Sequence, residues 1–398
     1  MDHYIKVSEN NISYYIYFIG IICTFIYTLN IIPTTYSNIS GFIVITSFVS
    51  IFLIKVRFLT LKNVCIFMFF VFSIALSYVF NLNKSPNITR YFLLSLIYPI
   101  AFISLAKIYS SNSLFRLVIP FNVCMAIILF LSILTTLGIY NFEYYSSDEN
   151  LLDNYEEISM RDSLRAVSGV YLNQNRFSSV LIIGVYSSIL LYLNSYSTKY
   201  RISSFILLIL SLFFILLTIS RSVIFSVVVG LLIYLFFSKL RIINKLIIFT
   251  LFLIIILNFI LSDYFDIFLL KVSSSGLSDR DTIWKDVFEN IKSNLAFGVG
   301  LGNYSFSSGI KNFSTHNLYL FFLVSLGFFG SIGIFIFMIW SAFLSVYNLI
   351  YNQKNLVAIC LACTVITIML QQTFEVILDN PIHPLSVFFM ISVLSIRK

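Results

Sequence analysis

About twelve apolar segments, each long enough to cross a lipid bilayer, constrain the fold of this 398-residue chain more than any other feature. A transmembrane helix needs roughly 17–25 mainly apolar residues. The chain is 59% hydrophobic and 11% charged, which is more apolar surface than a soluble core can bury. We therefore predict an all-α integral membrane protein with about twelve transmembrane helices. The segments lie near residues 12–30, 37–54, 64–80, 91–109, 117–138, 177–194, 202–219, 222–237, 244–261, 316–346, 355–372 and 385–396.

The distribution of charge predicts how these helices are oriented. Fourteen of the 25 Lys and Arg residues fall in connections on the side that holds the N-terminus, where the only acids are Asp2 and Glu9. Positive residues concentrate in cytoplasmic connections, so we predict a cytoplasmic N-terminus. Because the basic residues are scattered singly, the net charge of +8 does not indicate binding to nucleic acid.

Two connections are much longer than the others, and both lie on the outer side in this topology. Long loops in compact proteins are often functional. The sequence is thereby divided into residues 1–138 with five spans, 139–176 as a first outer loop, 177–261 with four spans, 262–315 as a second outer loop, and 316–398 with three spans.

The first outer loop begins acidic and ends basic. Its end, "RAVSGVYLNQNRFSS" (165–179), places Arg165 and Arg176 just ahead of the sixth span. Arg176 is consistent with an interfacial anchor and equally with a ligand-binding residue.

The second outer loop contains the pattern of an amphipathic helix in "SDRDTIWKDVFENIKSNLAF" (278–297). We expect this helix to lie along the membrane surface with its apolar side toward lipid. Arg280 and Trp284 are four residues apart and share one face. The apolar stripe recurs every fourth residue, at Ile283, Val287, Ile291 and Leu295.

Three short motifs resemble cofactor or metal sites, but their context favours other roles. Gly298-x-Gly300-x-Gly302 has no preceding strand, which a nucleotide fingerprint requires. The acids that flank Arg280 are better explained as helix-capping residues than as metal ligands. Cys360-x-x-Cys363 lies inside a span and is better explained by packing than by redox or zinc chemistry. We predict no metal and no cofactor.

Arginine and histidine residues are the strongest candidates for chemistry. Arg221, in "LTISRSVIFS" (217–226), lies at a membrane edge, where a charge indicates either a functional site or a snorkelling side chain. His316 and Asn317 come directly before the tenth span. Arginine matches phosphate oxygens, and histidine accepts a proton near neutral pH. The combination fits a displacement with a diphosphate leaving group and an activated hydroxyl.

The motifs "NQNRFSS", "TISRS", "SDRDTIW" with "FGVGLGN", and "THNLYLFFLVSLGFFG" occur in an order that resembles the superfamily of O-antigen polymerases (Wzy-type) and O-antigen ligases, chiefly over residues 165–335. The resemblance implies a GT-C-like helical bundle with a partly helical periplasmic loop before the tenth span. It further implies metal-free glycosyl transfer at the periplasmic face of the bacterial inner membrane, from an undecaprenyl-diphosphate-linked oligosaccharide.

The resemblance also implies roles for individual residues. Arg221 and Arg280 would grip the donor diphosphate, and His316 would orient or deprotonate the acceptor hydroxyl. Asn317 would either fix the His316 ring or cap the tenth helix. Many relatives carry an acid early in that helix, where this chain has Ser325. The further substrate-binding candidates are Arg176, Asn317, Arg165 and Trp284.

We favour the polymerase over the ligase, because the first outer loop is large enough and sufficiently mixed in charge to hold a second glycan. Membrane lipid and a chain-length regulator are the other expected partners. A polysaccharide transporter is the alternative from another class. A transporter is expected to have inverted repeats, broken helices and ionisable residues at mid-membrane, and the sequence shows no clear repeat.

Overall fold

A computed structural model describes residues 2–55, 61–81, 88–140, 167–171, 173–239, 280–301 and 315–396. Within these ranges the only regular secondary structure is helix, so the predicted all-α class is confirmed. The helices are α1 (Asp2–Thr28), α2 (Thr34–Lys55), α3 (Leu61–Asn81), α4 (Ile88–Ser95), α5 (Ile97–Ser111), α6 (Leu114–Thr136), α7 (Gln174–Asn194), α8 (Thr198–Leu217), α9 (Arg221–Phe237), α10 (Arg280–Ser293), α11 (Leu318–Tyr351), α12 (Leu356–Gln371) and α13 (Pro384–Ile396).

The helices correspond closely to the predicted spans. Seven helical stretches of the described chain are long and apolar enough to cross a membrane: α1, α2, the Phe92–Tyr109 stretch of α4 and α5, α6, α7, α8 and α11. Four shorter apolar helices, in α3, α9, α12 and α13, account for four more of the predicted spans. The predicted span at 244–261 lies outside the described residues. The chain is therefore a helical, multi-pass membrane protein.

The centre of the bundle is formed by α7, which has 78% of its span buried inside the protein. It packs against α6, α8 and α12. Buried polar side chains connect these helices: the Tyr186 and Thr367 hydroxyls lie 2.6 Å apart, and Asn122 Nδ2 donates to the Ser187 carbonyl over 3.1 Å. In an apolar surrounding such side chains need protein partners, and here they fix α7 against α12 and α6.

The predicted tenth span is longer than expected and is interrupted. Helix α11 has 34 residues, or about 50 Å at 1.5 Å per residue. Its backbone leaves helical geometry at Gly327, where φ is 66° and ψ is −175°. No proline interrupts the apolar run, so hydropathy alone does not predict this break.

The break in α11 is filled by residues 295–301, which we call the inserted segment. Its backbone pairs with both halves of α11, so groups freed by the break find protein partners, as non-helical backbone in a membrane protein requires. The bonds are Val299 N to Val324 O (2.9 Å), Gly300 N to Ser325 O (2.9 Å), Phe328 N to Leu295 O (2.8 Å) and Phe329 N to Ala296 O (3.1 Å).

Helix α3 holds the inserted segment from the other side. Ser77 Oγ and Asn81 Nδ2 both donate to the Phe297 carbonyl, at 2.7 and 2.9 Å. The Phe297 ring stacks on Phe80 with 3.8 Å between centroids. The inserted segment is thus clamped between α3 and α11.

The amphipathic helix is present as α10, but its predicted environment was wrong. The side chains of Ile283, Val287 and Ile291 are buried together with Val324 of α11, so the stripe packs on protein and not on lipid. The periodicity identifies an apolar face without naming its partner. Leu295 was wrongly included in the stripe, since it follows the end of α10 and is 56% exposed.

Candidate active site

Helix ends from four parts of the chain meet at one end of the bundle. Asn175, in the first turn of α7, donates from Nδ2 to Glu375 Oε1 over 2.9 Å. Its Oδ1 accepts from the Ser220 hydroxyl, directly before α9, over 3.0 Å. Leu318, the first residue of α11, donates its N–H to the Gln372 carbonyl after α12 over 2.9 Å. The starts of α7, α9 and α11 are thereby joined to the end of α12.

His316 lies at the centre of this junction, directly before the capping residue of α11. Its Nδ1 lies 3.6 Å from Glu375 Oε2, which is ion-pair range but too long for a hydrogen bond. The His316 side chain is 28% exposed and that of Glu375 is 12% exposed. The imidazole is therefore accessible from one side and faces a carboxylate on the other.

Arg221 is the first residue of α9 and is partly buried. The preceding Ser220 occupies the N-cap position, but its side chain makes no capping bond and donates to Asn175 instead. A positively charged residue thus begins the helix whose start also carries the positive end of the helix dipole.

Backbone strain occurs in the two motifs that contain Arg221 and His316. In the part of the chain that the structure describes, the non-glycine residues with positive φ are Ile219 (53°) and His316 (48°). A β-branched residue in this region is a genuine outlier, and such strain costs on the order of 1–3 kcal/mol per residue. Strained residues concentrate at functional sites, and here each lies at or beside a residue that the sequence identified.

Arg176 is exposed in the first turn of α7, where Asn173 Oδ1 caps the helix by accepting from the Asn175 and Arg176 N–H groups at 2.7 and 3.4 Å. Its charge acts on Asp379, an exposed residue of the loop between α12 and α13. Partial desolvation raises the pKa of the Asp379 carboxyl, and the positive charge of Arg176 opposes that rise.

His383 ends the same loop and has a capping function. Its Nδ1 accepts the Leu385 N–H over 3.1 Å, which requires that nitrogen to be unprotonated. Burial lowers the pKa of His383 to about 3, and the positive charge of Arg176 acts in the same direction.

Asn317 caps α11, which was one of the two roles considered for it. Its Oδ1 accepts from the N–H groups of Tyr319 and Leu320, each at 3.0 Å, and its Nδ2 donates to the Thr373 carbonyl over 3.1 Å. Both ends of the amide thus bind backbone. The residue stabilises the segment that carries His316.

Trp284 of α10 stabilises the chain directly before His316. Its indole N–H donates to the Thr315 carbonyl over 3.0 Å, and Thr315 Oγ1 donates to the Asn317 carbonyl over 2.9 Å. Trp284, the fifth residue of α10, therefore joins this helix to the residue that precedes His316. The Arg280 side chain and the whole of Arg165 lie outside the described residues.

Glu375 and Asn175 are site residues that we did not identify from the sequence. The motif comparison left the position of a carboxylate unfilled, because Ser325 replaces it. Glu375 supplies one from the loop that follows α12. A signal was present, since Glu375 and Asp379 are the only acids after residue 316.

The loop that carries these acids is held in a defined shape. Gln372 Oε1 accepts from the N–H groups of Ile377 and Leu378, each at 3.0 Å, and its Nε2 donates to Gln371. Gln371 Nε2 in turn donates to Ser179 Oγ of α7 over 2.9 Å. Glu375 is therefore positioned by the protein before any ligand binds.

Fold and site together define a multi-pass helical membrane protein with a polar, arginine- and histidine-containing site where several helices begin. Residues 205–335 match the family model described as O-antigen ligase. The resemblance to the O-antigen polymerase and ligase superfamily is confirmed over that region, which contains Arg221, Arg280 and His316. This family is associated with membrane enzymes of the glycosyl-transfer type. A search among curated proteins found no match.

Proposed function

We propose that this protein is an O-antigen or related surface-polysaccharide polymerase, which joins undecaprenyl-diphosphate-linked repeat units at the periplasmic face of the inner membrane. The observation that carries the proposal is the junction of His316, Glu375, Asn175 and Ser220, which brings the three sequence motifs into one site.

The donor diphosphate would bind where positive charge is concentrated. Three helices, α7, α9 and α11, begin at the junction, and a helix start carries a partial positive charge that favours phosphate. Arg221 and Arg176 belong to the first turns of two of them. Arg280 begins α10, four residues before Trp284, which bonds to the Thr315 carbonyl, and is proposed as the second arginine that binds the diphosphate. Fixed positive charge there would stabilise the leaving group.

His316 would act on the acceptor. In the proposed step the acceptor hydroxyl oxygen bonds to the anomeric carbon, the bond from that carbon to the diphosphate oxygen breaks, and the electron pair leaves with the diphosphate. The hydroxyl proton passes to His316 Nε2. Attack from the face opposite the leaving group inverts the anomeric configuration. No step requires a metal or a cofactor.

O-antigen ligase, which transfers the glycan to lipid A-core, is the second candidate, because the matching family model carries that description. The two enzymes share the donor, so the charged site supports both. We favour the polymerase because of the mixed charge of the 139–176 loop, which gives a second glycan polar groups to bind.

A transporter is less well supported. The broken α11 is a feature expected of transporters. However, the backbone groups freed at the break bond to the inserted segment, so they are not directed toward a transported substrate.

The test is a chromosomal deletion in the host, followed by gel analysis of the surface polysaccharide. Lipid A-core that carries a single repeat unit supports the polymerase, because ligation continues when polymerisation is lost. Bare core with polymer retained on undecaprenyl diphosphate supports the ligase. An unchanged polysaccharide contradicts both.

Complementation with variants then tests the site. Arg221→Ala, Arg280→Ala and His316→Ala should each abolish polymer while the protein remains in the membrane. Arg201→Ala is the matched control, since Arg201 bonds to the Ser195 carbonyl at the opposite end of α7. Normal chain length with Arg221→Ala would remove that residue from the diphosphate grip.

A further inference from the structure

Two residues without an assigned role connect the two halves of the proposed site. Asn175 contacts Glu375 through one end of its amide and Ser220 through the other. Glu375 in turn faces His316. The chain His316, Glu375, Asn175, Ser220 therefore runs from the proposed base to the residue that precedes Arg221.

The contacts of the Glu375 carboxylate indicate a role beyond packing. Its Oε1 accepts from Asn175, a bond that a neutral glutamine carbonyl would make equally well. A buried carboxylate is costly to desolvate unless a partner compensates its charge. Its second oxygen lies toward His316 Nδ1 at 3.6 Å. The negative charge is thus directed at the one group of the proposed reaction that becomes positive.

Other charged residues among those described lie at the starts of the junction helices. Arg176 and Arg221 begin α7 and α9, and Arg176 acts on Asp379 and His383. Glu375 lies in ion-pair range of His316.

We propose that Glu375 and Asn175 are a positioning pair, which holds the His316 ring with Nε2 toward the acceptor and couples it to the start of α9. This inference rests on the proposed function. When the acceptor proton passes to Nε2, the imidazolium N–H at Nδ1 faces the Glu375 carboxylate. Asn175 bonds to both the Glu375 carboxylate and Ser220. It thereby fixes the position of His316 relative to Arg221, the residue proposed to bind the diphosphate.

The experiment measures turnover by the full-length protein in nanodiscs. The substrate is the lipid-linked oligosaccharide extracted from the deletion strain. Glu375→Gln retains the bond to Asn175 and removes the charge, so kcat should fall about 10- to 100-fold while KM for the donor stays within about twofold. Asn175→Ala should lower kcat and also raise KM, because Ser220 loses its acceptor beside Arg221.

The double variant tests whether the pair acts as a unit. Asn175→Ala with Glu375→Gln should be no slower than Asn175→Ala alone. Matched controls are Glu289→Gln, an exposed acid of α10, and Asn194→Ala, at the other end of α7, where the amide donates to the Leu190 carbonyl. Both should turn over at the rate of the unmodified protein.

Two results would overturn the inference. One is a Glu375→Gln variant with unchanged kcat; the other is a double variant whose losses multiply. If Asn175→Ala does not fold, the isosteric Glu375→Gln variant tests the inference by itself. A fall in kcat with an unchanged KM for the donor would support it, and an unchanged kcat would overturn it. Turnover that depends on Arg221 but not on Glu375 would refute the positioning pair only. Absence of turnover by the unmodified protein would refute the proposed polymerase function.

Discussion

Replacing Gly327 with alanine should destabilise the protein more than an ordinary substitution in a membrane helix. Gly327 has φ of 66° and ψ of −175°, a region of backbone space that is essentially restricted to glycine. It also touches the inserted segment. A Cβ at Gly327 would lie 2.4 Å from the Gly298 nitrogen, 2.5 Å from the Phe297 nitrogen and 2.6 Å from the Ala296 carbonyl carbon.

These distances allow the cost to be estimated. The backbone conformation alone costs an alanine about 1–3 kcal/mol. All three clashing atoms belong to the backbone, so no side chain can rotate away and the inserted segment must move. Movement would weaken the bonds that join it to α11, at about 1 kcal/mol each. The sum is about 3–5 kcal/mol if two of the bonds are lost.

Gly138 provides a matched control. Its φ is also 66°, but nothing lies within 4 Å of the position that its Cβ would occupy. Gly138→Ala therefore carries conformational strain without a clash, and should cost about 1–2 kcal/mol.

The assay is thermal unfolding of the purified variants in nanodiscs, with polysaccharide chain length in complemented cells as a second measurement. Gly327→Ala should unfold several degrees below Gly138→Ala. It should also shorten the polymer, because the inserted segment follows α10, which braces the segment before His316. Equal unfolding temperatures for the two variants would refute the close backbone packing of Gly298 against Gly327.

Three further substitutions test individual contacts. Asn317→Ala removes the cap of α11 and should cost about 1–2 kcal/mol, seen as a lower unfolding temperature. Trp284→Phe keeps an aromatic side chain but removes the bond to the Thr315 carbonyl, and should lower activity more than stability; an unaffected polymer would contradict the bracing role. His383 has a folded-state pKa of about 3 against about 6.5 unfolded, so its contribution to stability is fully present above pH 6.5 and is lost as pH falls toward 3. His383→Asn retains an acceptor for the Leu385 N–H and should flatten the decline in unfolding temperature between pH 7 and pH 4; an unchanged decline would exclude His383 as its source.

The helices were predictable because apolar length is a local property of the sequence. Arg221 and His316 could be identified for a similar reason, since a charged or titratable residue beside a long apolar run is conspicuous. The periodicity of Ile283, Val287 and Ile291 likewise predicted α10. Each of these signals lies within about one helix length.

The features that could not be predicted depend on contacts between distant parts of the chain. At the break at Gly327 the backbone of α11 bonds to the inserted segment, and hydropathy does not predict that pairing. The apolar face of α10 gave no indication that α11 would cover it. Glu375 lies 59 positions after His316, with all of α11 and all of α12 between them, so their approach follows only from the folded bundle.

We propose that this site transfers a glycan from a lipid diphosphate. The most direct measurement is incubation of the purified protein in nanodiscs with extracted undecaprenyl-diphosphate-linked repeat unit as the only substrate, with detection of glycan length and released lipid diphosphate. We expect glycans of two or more units, one lipid diphosphate released for each linkage, and loss of both products in Arg221→Ala and His316→Ala. Elongation that proceeds equally in those two variants would contradict it, as would an unmodified protein that leaves the substrate unchanged.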